Sequence, residues 1–404
     1  MGKQVFEGIR VLDFSNNVAG PCCASLLADQ GAEVIKIERP VAGDDSRGIM
    51  PRVEGKSLTF MWTNRGKHSV ELDLHDPEAQ DIIKRMILDA DVIVESFKPG
   101  QMKKFGLDYE TVHALKPSLV YCSISACGQT GAYASKPGFD IIAQGMSGLM
   151  DLAGDPDGMP VKQGVTIGDY VGSLNAYGAI VTALYHSRAT GVGQLVDISL
   201  LDGLIYCNTT LDNAATNDAY PTRSGPHHGT MAPYGIYNGK DGQSVIIAAY
   251  TNAMWRRLCT AMDMPGLADD PRFNTIPLRC QNLKELVAVI EQWLKGFDRI
   301  QDAVDRMEAN NVATCKIRST HEVANDPVLW EREAIVELPT SPSFKEHKTV
   351  RTRGKVARYT ETPIILRRPP DLGEDNYDIL GKYGWDKAKV DEMEAKWAAQ
   401  KPKK

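Results

Sequence analysis

Between residues 9 and 150, short apolar strands and amphipathic helices take turns, and this alternation constrains the fold more than any other feature of the chain. IRVLDF (9–14) reads as a strand, residues 20–31 as a helix with Gly31 at its C-terminal end, and EVIKIE (33–38) as the next strand. The unit recurs. SVELDL is followed by the helix PEAQDIIKRMILDA, DVIVESF by a short helix at 101–105, and LVYCSISA by a loop and the helix DIIAQGMSGLM. Strands separated by helices at this spacing predict an α/β fold with a mainly parallel sheet and helices on both faces. Ligands on such sheets sit beyond the carboxyl ends of the strands, which directs attention to the turns after Phe14, Glu38, Leu74, Phe97 and Ala126.

A nicotinamide dehydrogenase would need a glycine-rich turn after the first strand. SNNVAGPCC supplies one glycine there, although Glu38 stands where a ribose-binding acid would. Arg39, next to it, is placed either to meet a phosphate or to stay a solvated surface charge. At 404 residues the chain has room for two domains, or for one large domain with an insertion. Its net charge of −6 offers no footprint for nucleic acid or an anionic membrane. No apolar run reaches membrane-spanning length, the N-terminus lacks a signal-peptide layout, and position 6 lacks the Ser or Thr of a myristoylation site. A cytoplasmic location is expected. The eight cysteines show no CxxC pair and the eight histidines no ligand cluster, so reduced, mostly buried thiols and no metal are expected.

The stretch VTIGDYVGSLNAYGAIVTALYHSRATG (165–191) sets Asp169 before Val171, Leu174, Tyr177, Ile180, Val181, Leu184 and Tyr185 at helical spacing. Asp169 is expected to open a buried helix that ends before Gly191. Two readings follow: an N-cap, or a carboxylate kept ionised by the helix N-terminus and able to act as a nucleophile. Another strand and helix follow in QLVDISLLDGLIYCNTTLDNAA. Composition then changes, with Gly, Pro and His concentrated in residues 221–243 ahead of the strand pair GIYNG and SVIIAAY, whose NGKDGQ is a hairpin signal. Residues 226–325 read as a smaller α/β insert, and 326–404 as a return to the first domain ending in a solvated KPKK tail.

Several blocks in one order, GIRVLDFSNNVAGPCCASLLADQGAEVIKIERP, SVELDLHDPEAQ, DVIVESFKPG, SISACGQTGAYASKPGFDIIAQGMSGLM, GDYVGSLNA, SGPHHGTMAPY, DDPRF and DLGEDNYDIL, make the chain resemble the class III CoA-transferases, the CaiB/BaiF family. The resemblance covers nearly the whole chain. It implies a Rossmann-like large domain built from both chain ends (1–225 and 326–404), a small domain at 226–325, and two subunits interlocked as a homodimer, with a heteromer as the alternative. It also implies that Asp169 attacks an acyl-CoA thioester, with CoA and acyl-CoA as substrates and no permanently bound cofactor.

Carried over position by position, the CoA-binding set resembles Asn17, Val18, Ala19, Arg39, Leu72, His75, Phe97, Lys104 and Lys136. Arg39, Lys104 and Lys136 would meet phosphates and Leu72 and Phe97 would wall the adenine, although singly such residues serve as surface charge or core. His75 departs from the usual Lys. Val18 replaces the Gln of formyl-CoA transferases, and SGPHHGTMAPY replaces their glycine run, which disfavours formate and oxalate. Gly225, His227, His228 and Gly229 are expected as a flexible lid, or else as an ordinary interdomain loop. Met146, Met150 and Met231 could line a pocket for a bulky acyl group or fill core. The expected reaction passes CoA from a donor such as succinyl-CoA or acetyl-CoA to a larger organic acid, aromatic or hydroxylated. A 2-methylacyl-CoA racemase is the alternative, yet its GHD motif reads GFD here, with Phe139 unable to carry a proton. A non-catalytic CoA-binding subunit remains the other alternative.

Overall fold

The computed structural model describes residues 4–399. The chain forms two compact units: one of residues up to Leu149, Gln163–Leu211 and Pro327 onward, the other of Met150–Lys162 and Asp212–Asp326. The second unit thus takes in more chain than the 226–325 read from composition, because residues 150–162 are tied to it. Arg223 donates to the carbonyls of Asp155 and Gly158 at 3.0 and 3.1 Å. The KPKK tail lies outside the described residues.

Six parallel strands build the first unit: β1 Arg10–Asp13, β2 Glu33–Glu38, β3 His68–Glu71, β4 Val92–Glu95, β5 Val120–Ser125 and β6 Leu195–Ser199. Their spatial order is β3-β2-β1-β4-β5-β6. Leu12 pairs with Ile35 on one side and with Ile93 on the other. The chain runs outward from β1 to β3, then returns to β4 and runs the other way, so a crevice opens beyond the ends of β1 and β4.

The alternation along each strand separates two cores. Val11, Val34, Val92, Val94, Val120 and Cys122 meet helices α1 (Ala19–Asp29), α4 (Ile167–Thr190) and α5 (Leu200–Tyr206). Leu12, Ile35, Val70, Ile93 and Tyr121 meet α2 (Pro77–Asp89) and the C-terminal helix α9 (Lys387–Ala399). Strands covered on both faces explain why their sequences run almost continuously apolar. The C-terminal segment is fastened by polar contacts as well: Asp375 accepts from the Ser69 N–H at 2.8 Å, and Lys396 pairs with Asp76 at 2.6 Å.

Two sequence expectations change here. DIIAQGMSGLM breaks into α3 (Asp140–Met146) and a turn of helix at Leu149–Leu152, because Gly148 takes φ +80° between them. In α4 the buried face consists largely of small residues, Gly172, Ser173, Ala176 and Ala183, whereas Leu174 and Tyr185 are exposed. Small residues let α4 approach α1 closely: the Ser173 hydroxyl donates to the Ala19 carbonyl at 2.8 Å.

The second unit carries an antiparallel sheet of β7 (Tyr234–Asn238), β8 (Ser244–Ala248) and β9 (Ala313–Lys316), with β8 in the middle. The expected hairpin forms, with Asp241 and Gly242 at positive φ in its turn, and β9 adds a strand that the sequence reading did not identify. Helices α6 (Asn252–Ala261), α7 (Leu283–Leu294) and α8 (Ile300–Ala309) cover this sheet around Trp255, Leu286 and Val304. Arg279 is fully buried among them. It is satisfied by the carbonyls of Ala232, Phe273 and Tyr250 at 2.6–2.8 Å. Back in the first unit, β10 (Ile335–Pro339) and β11 (Thr349–Arg353) form an antiparallel ribbon. Cys22, Cys23, Cys122 and Cys259 are buried, but Cys207 and Cys315 are exposed. Among the described residues no helix is long and apolar enough to cross a membrane, and no cluster of His, Cys, Asp and Glu could hold a metal.

Candidate active site

Beyond the carboxyl ends of β1 and β2 the turns are held from beneath by buried charge. Lys67 reaches Asp13 at 2.6 Å, and Lys36 reaches Asp44 at 2.7 Å and the Ser15 carbonyl at 2.8 Å. Burial alone would raise the Asp13 carboxyl, but Lys36 and Lys67 hold it below its ordinary value. Desolvation brings the Lys67 ammonium down to about 8 despite Asp13. Asp44 in turn accepts the Ser46 and Asn17 N–H groups at 2.7 and 3.1 Å. Asn17 is left with φ +68°, which turns the chain sharply into α1, where Val18 and Ala19 are buried at the helix start.

This frame borders a recess lined by Phe14, Asn16, Arg39, Leu72, Leu74 and Phe97, with Lys36 and Asp44 in its wall. The structure therefore brings Arg39, Leu72 and Phe97 together, with Asn17 on the adjoining turn. Arg39 is exposed and paired with Asp45. Exposed His75 stands at 5.1 Å from the ring of Phe105, which lies 6.1 Å from Phe97. Lys104 is exposed at the end of the short helix Gln101–Lys104, and Lys136 lies over the Tyr133 ring at 4.6 Å on the loop after β5. Glu38, the acid that a dinucleotide reading would use, is buried and engaged by Arg47 at 2.6 Å, Ser69 at 2.7 Å and the Asp44 N–H at 2.9 Å. Burial pushes its carboxyl up, yet Arg47, Lys36 and Ser69 leave it below the usual range. A group so committed cannot also bind a ribose.

The head of α4 differs from the expectation. Thr166, not Asp169, occupies the N-cap, and its side chain makes no capping bond. Asp169 lies within the first turn. The missing acceptor comes from α3, where an Asp140 oxygen takes the Gly168 N–H at 2.7 Å. A Cβ on Gly168 would sit 2.9 Å from that oxygen and 3.1 Å from Leu204, so glycine is what allows the approach. Asp169 itself is half-buried. Burial first, and then the nearby Asp140 charge, push its carboxyl up to about 7, against a hydrogen bond from the Thr166 side chain. The helix N-terminus thus does not keep this group strongly ionised: desolvation and a like charge outweigh the dipole. Asp140 was overlooked from sequence because it lies far from Asp169 along the chain. Gly168 before Asp169 was the local sign that something must approach closely. On the next position of the helix, Tyr170 meets Arg353 of β11, whose guanidinium lies 4.8 Å from Trp62 and 5.2 Å from Tyr170 ring centroids.

In the second unit, the segment expected as a lid runs beside β7. Gly225 takes φ +64°, His227 bridges Gly235, and the His228 N–H donates to the Tyr234 carbonyl at 2.8 Å. His227 packs against Tyr237 at 5.0 Å, while exposed Gly229 continues the turn. These bonds make the segment an arm of that sheet. Met146 packs into the core below α4, and Met150 and Met231 belong to the second unit.

Comparison with known proteins adds an independent line. A succinate–glutarate CoA-transferase of Agrobacterium fabrum is 35% identical over 94% of this chain and 96% of its own length. A succinyl-CoA:mesaconate CoA-transferase of Haloarcula marismortui is 36% identical, again over 94% of this chain and 96% of that protein. Among solved structures, a CAIB/BAIF family protein from Brucella suis superposes with a TM-score of 0.84 at 33% identity, covering 94% of this chain and all of the other. The family model described as CoA-transferase family III matches residues 6–376. On the strength of that match and of relatives aligned almost end to end, the chain belongs to CoA-transferase family III.

Proposed function

We propose that this enzyme transfers CoA between succinyl-CoA and a free dicarboxylic acid, with Asp169 as the nucleophile. The observation that carries the reading is the Asp169 carboxyl itself, half-buried at the head of α4 and pushed up to about 7 by burial and Asp140. A carboxylate of raised basicity attacks a thioester better than an ordinary surface aspartate does. The choice of acids rests on the relatives, whose names pair succinate or succinyl-CoA with glutarate and mesaconate. Two further relatives are named for D-citramalate and L-malate, hydroxylated dicarboxylates that fall within the hydroxylated acid expected from sequence.

In the proposed cycle an Asp169 oxygen adds to the succinyl-CoA carbonyl and the C–S bond breaks, giving a mixed anhydride and CoA thiolate. The thiolate attacks the aspartyl carbonyl and releases succinate, leaving an aspartyl-CoA thioester. The acceptor carboxylate attacks that thioester to form a second anhydride and thiolate. Attack of the thiolate on the acceptor's acyl carbon then frees Asp169. Each step exchanges one activated acyl group for another, so no ATP is consumed. For CoA we propose the recess of Arg39, Leu72 and Phe97 beside Asn17, Val18 and Ala19, with His75, Lys104 and Lys136 around its entrance.

The expected assembly is an interlocked homodimer. Leu174, Tyr185 and Tyr206 are 53%, 80% and 92% exposed in the single chain, an apolar surface that a second subunit would cover.

The test of the chemistry is trapping. Incubation with succinyl-CoA and hydroxylamine should place a hydroxamate on the peptide containing Asp169, and Asp169→Ala should lose both the label and turnover, by roughly 10³-fold or more. Full turnover by the variant would remove the proposed nucleophile.

A further inference from the structure

Asp140 sits at the start of α3 and is only 8% exposed. Both of its oxygens are used. One accepts the Gly168 N–H at 2.7 Å; the other accepts the Gln144 side-chain N–H at 2.7 Å. Gln144, itself buried, takes the Gln163 N–H on its own oxygen at 3.0 Å. The approach to α4 and its first turn are therefore held from α3 by two side chains, where the N-cap Thr166 makes no side-chain capping bond. A structural cap alone could be a serine or asparagine. Here the cap is an acid accepting on both oxygens, placed beside the acid that carries the chemistry.

Resting on the reading of Asp169 as nucleophile, we infer that Asp140 is a positioning residue whose carboxylate both caps the helix bearing Asp169 and, through its charge, favours the acylated states of Asp169 over the free carboxylate. The physical reason lies in the charge balance of the cycle. Asp169 is anionic when free but neutral as an anhydride or a thioester. Repulsion from Asp140 in a partly desolvated site raises the energy of the anionic state alone, so it is relieved when the C–O bond to the acyl group forms and the thiolate departs. The rise of the Asp169 carboxyl to about 7, with Asp140 as its second cause after burial, agrees with this placement.

Asp140 is the charged group that bears on the Asp169 carboxyl; the other groups around this turn make contacts of their own. Arg353 of β11 lies against Tyr170 and Trp62. On α1 the Cys22 thiol faces Ser173, and Asp202 of α5 acts on Cys127. On α4 itself the Thr166 hydroxyl faces Asp169.

The experiment compares wild type, Asp140→Asn and Gln144→Ala. Asparagine retains an acceptor for the Gly168 N–H and removes the charge; Gln144→Ala removes a holding contact and keeps the charge. For Asp140→Asn the acid limb of kcat/KM for succinyl-CoA should move down by about one pH unit or more, and hydroxamate trapped on Asp169 at pH 8 should fall several-fold. Gln144→Ala should leave the limb in place. An unmoved limb in a folded Asp140→Asn protein, or equal movement in Gln144→Ala, would reduce Asp140 to a structural cap and overturn the inference. If Asp140→Asn does not fold, Asp140→Ser, which keeps a short acceptor without charge, is read in the same way. Absence of any hydroxamate in wild type would instead overturn the nucleophile reading on which the inference stands.

Discussion

At the scale of single residues, Asp169, the proposed nucleophile, carries a cost to stability. Its carboxyl lies near 3.8 in the unfolded chain and is raised to about 7 in the fold, so between those values the folded state binds the extra proton. The native state's advantage from this group is complete below pH 3.8 and is lost as pH rises through 7. Asp169→Asn removes the cost. Its unfolding free energy should therefore exceed that of wild type by more at pH 8 than at pH 5, a difference of roughly 1–2 kcal/mol after solvent screening of a half-buried group. Calorimetry at the two pH values checks this; an equal or smaller gain at pH 8 would contradict the assigned environment. The candidacy of Asp169 was legible from GD followed by an apolar helix. Its raised carboxyl was not, because a carboxyl at a helix start is expected to be favoured as an anion, while the burial and then the opposing charge come from other elements packed around it.

Elements explain why that environment holds. α4 was legible almost in full: its apolar spacing marked the body, and Gly191, at φ +77°, ends it as expected. Its orientation is not set by the apolar spacing, since Leu174 and Tyr185 face away from the core while Gly172, Ser173 and Ala176 face in. Helical period shows that a helix has faces, but close packing against α1 and α5 is decided by volume. A Cβ at Gly172 would come within 2.4 Å of Leu200. The head of the helix is equally tight. Gly168→Ala forces its methyl toward Asp140 and Leu204 and should cost about 1–3 kcal/mol of stability, with a larger fractional loss of turnover than of CoA binding. Denaturant melts and a separation of kcat from KM measure the two effects. Loss of CoA affinity alone would place the fault at the recess beyond β1 and β2.

For the whole molecule, the exposed Leu174, Tyr185 and Tyr206 lead to the remaining expectation. Light scattering should give a dimer, and tagged and untagged dimers should not exchange subunits short of unfolding if the chains are interlocked. Tyr185→Lys combined with Leu174→Lys should yield monomer or insoluble chain; a stable wild-type monomer would leave those side chains without the proposed cover.

The strand–helix alternation determined by itself that this chain forms a parallel, doubly covered sheet, because burial on both faces imposes apolar strands wherever they pair. The motif blocks were enough for the family, since they survive in order along the chain. Only the tertiary structure decided that residues 150–162 belong with the second unit, that Glu38 is spent on Arg47 and Ser69, and that Asp140 caps α4 beside Asp169. Periodicity and capping signals act over a few neighbouring residues. Asp140 and Gly168 are 28 positions apart, and the charge that one places on the turn of the other exists only once α3 and α4 have packed.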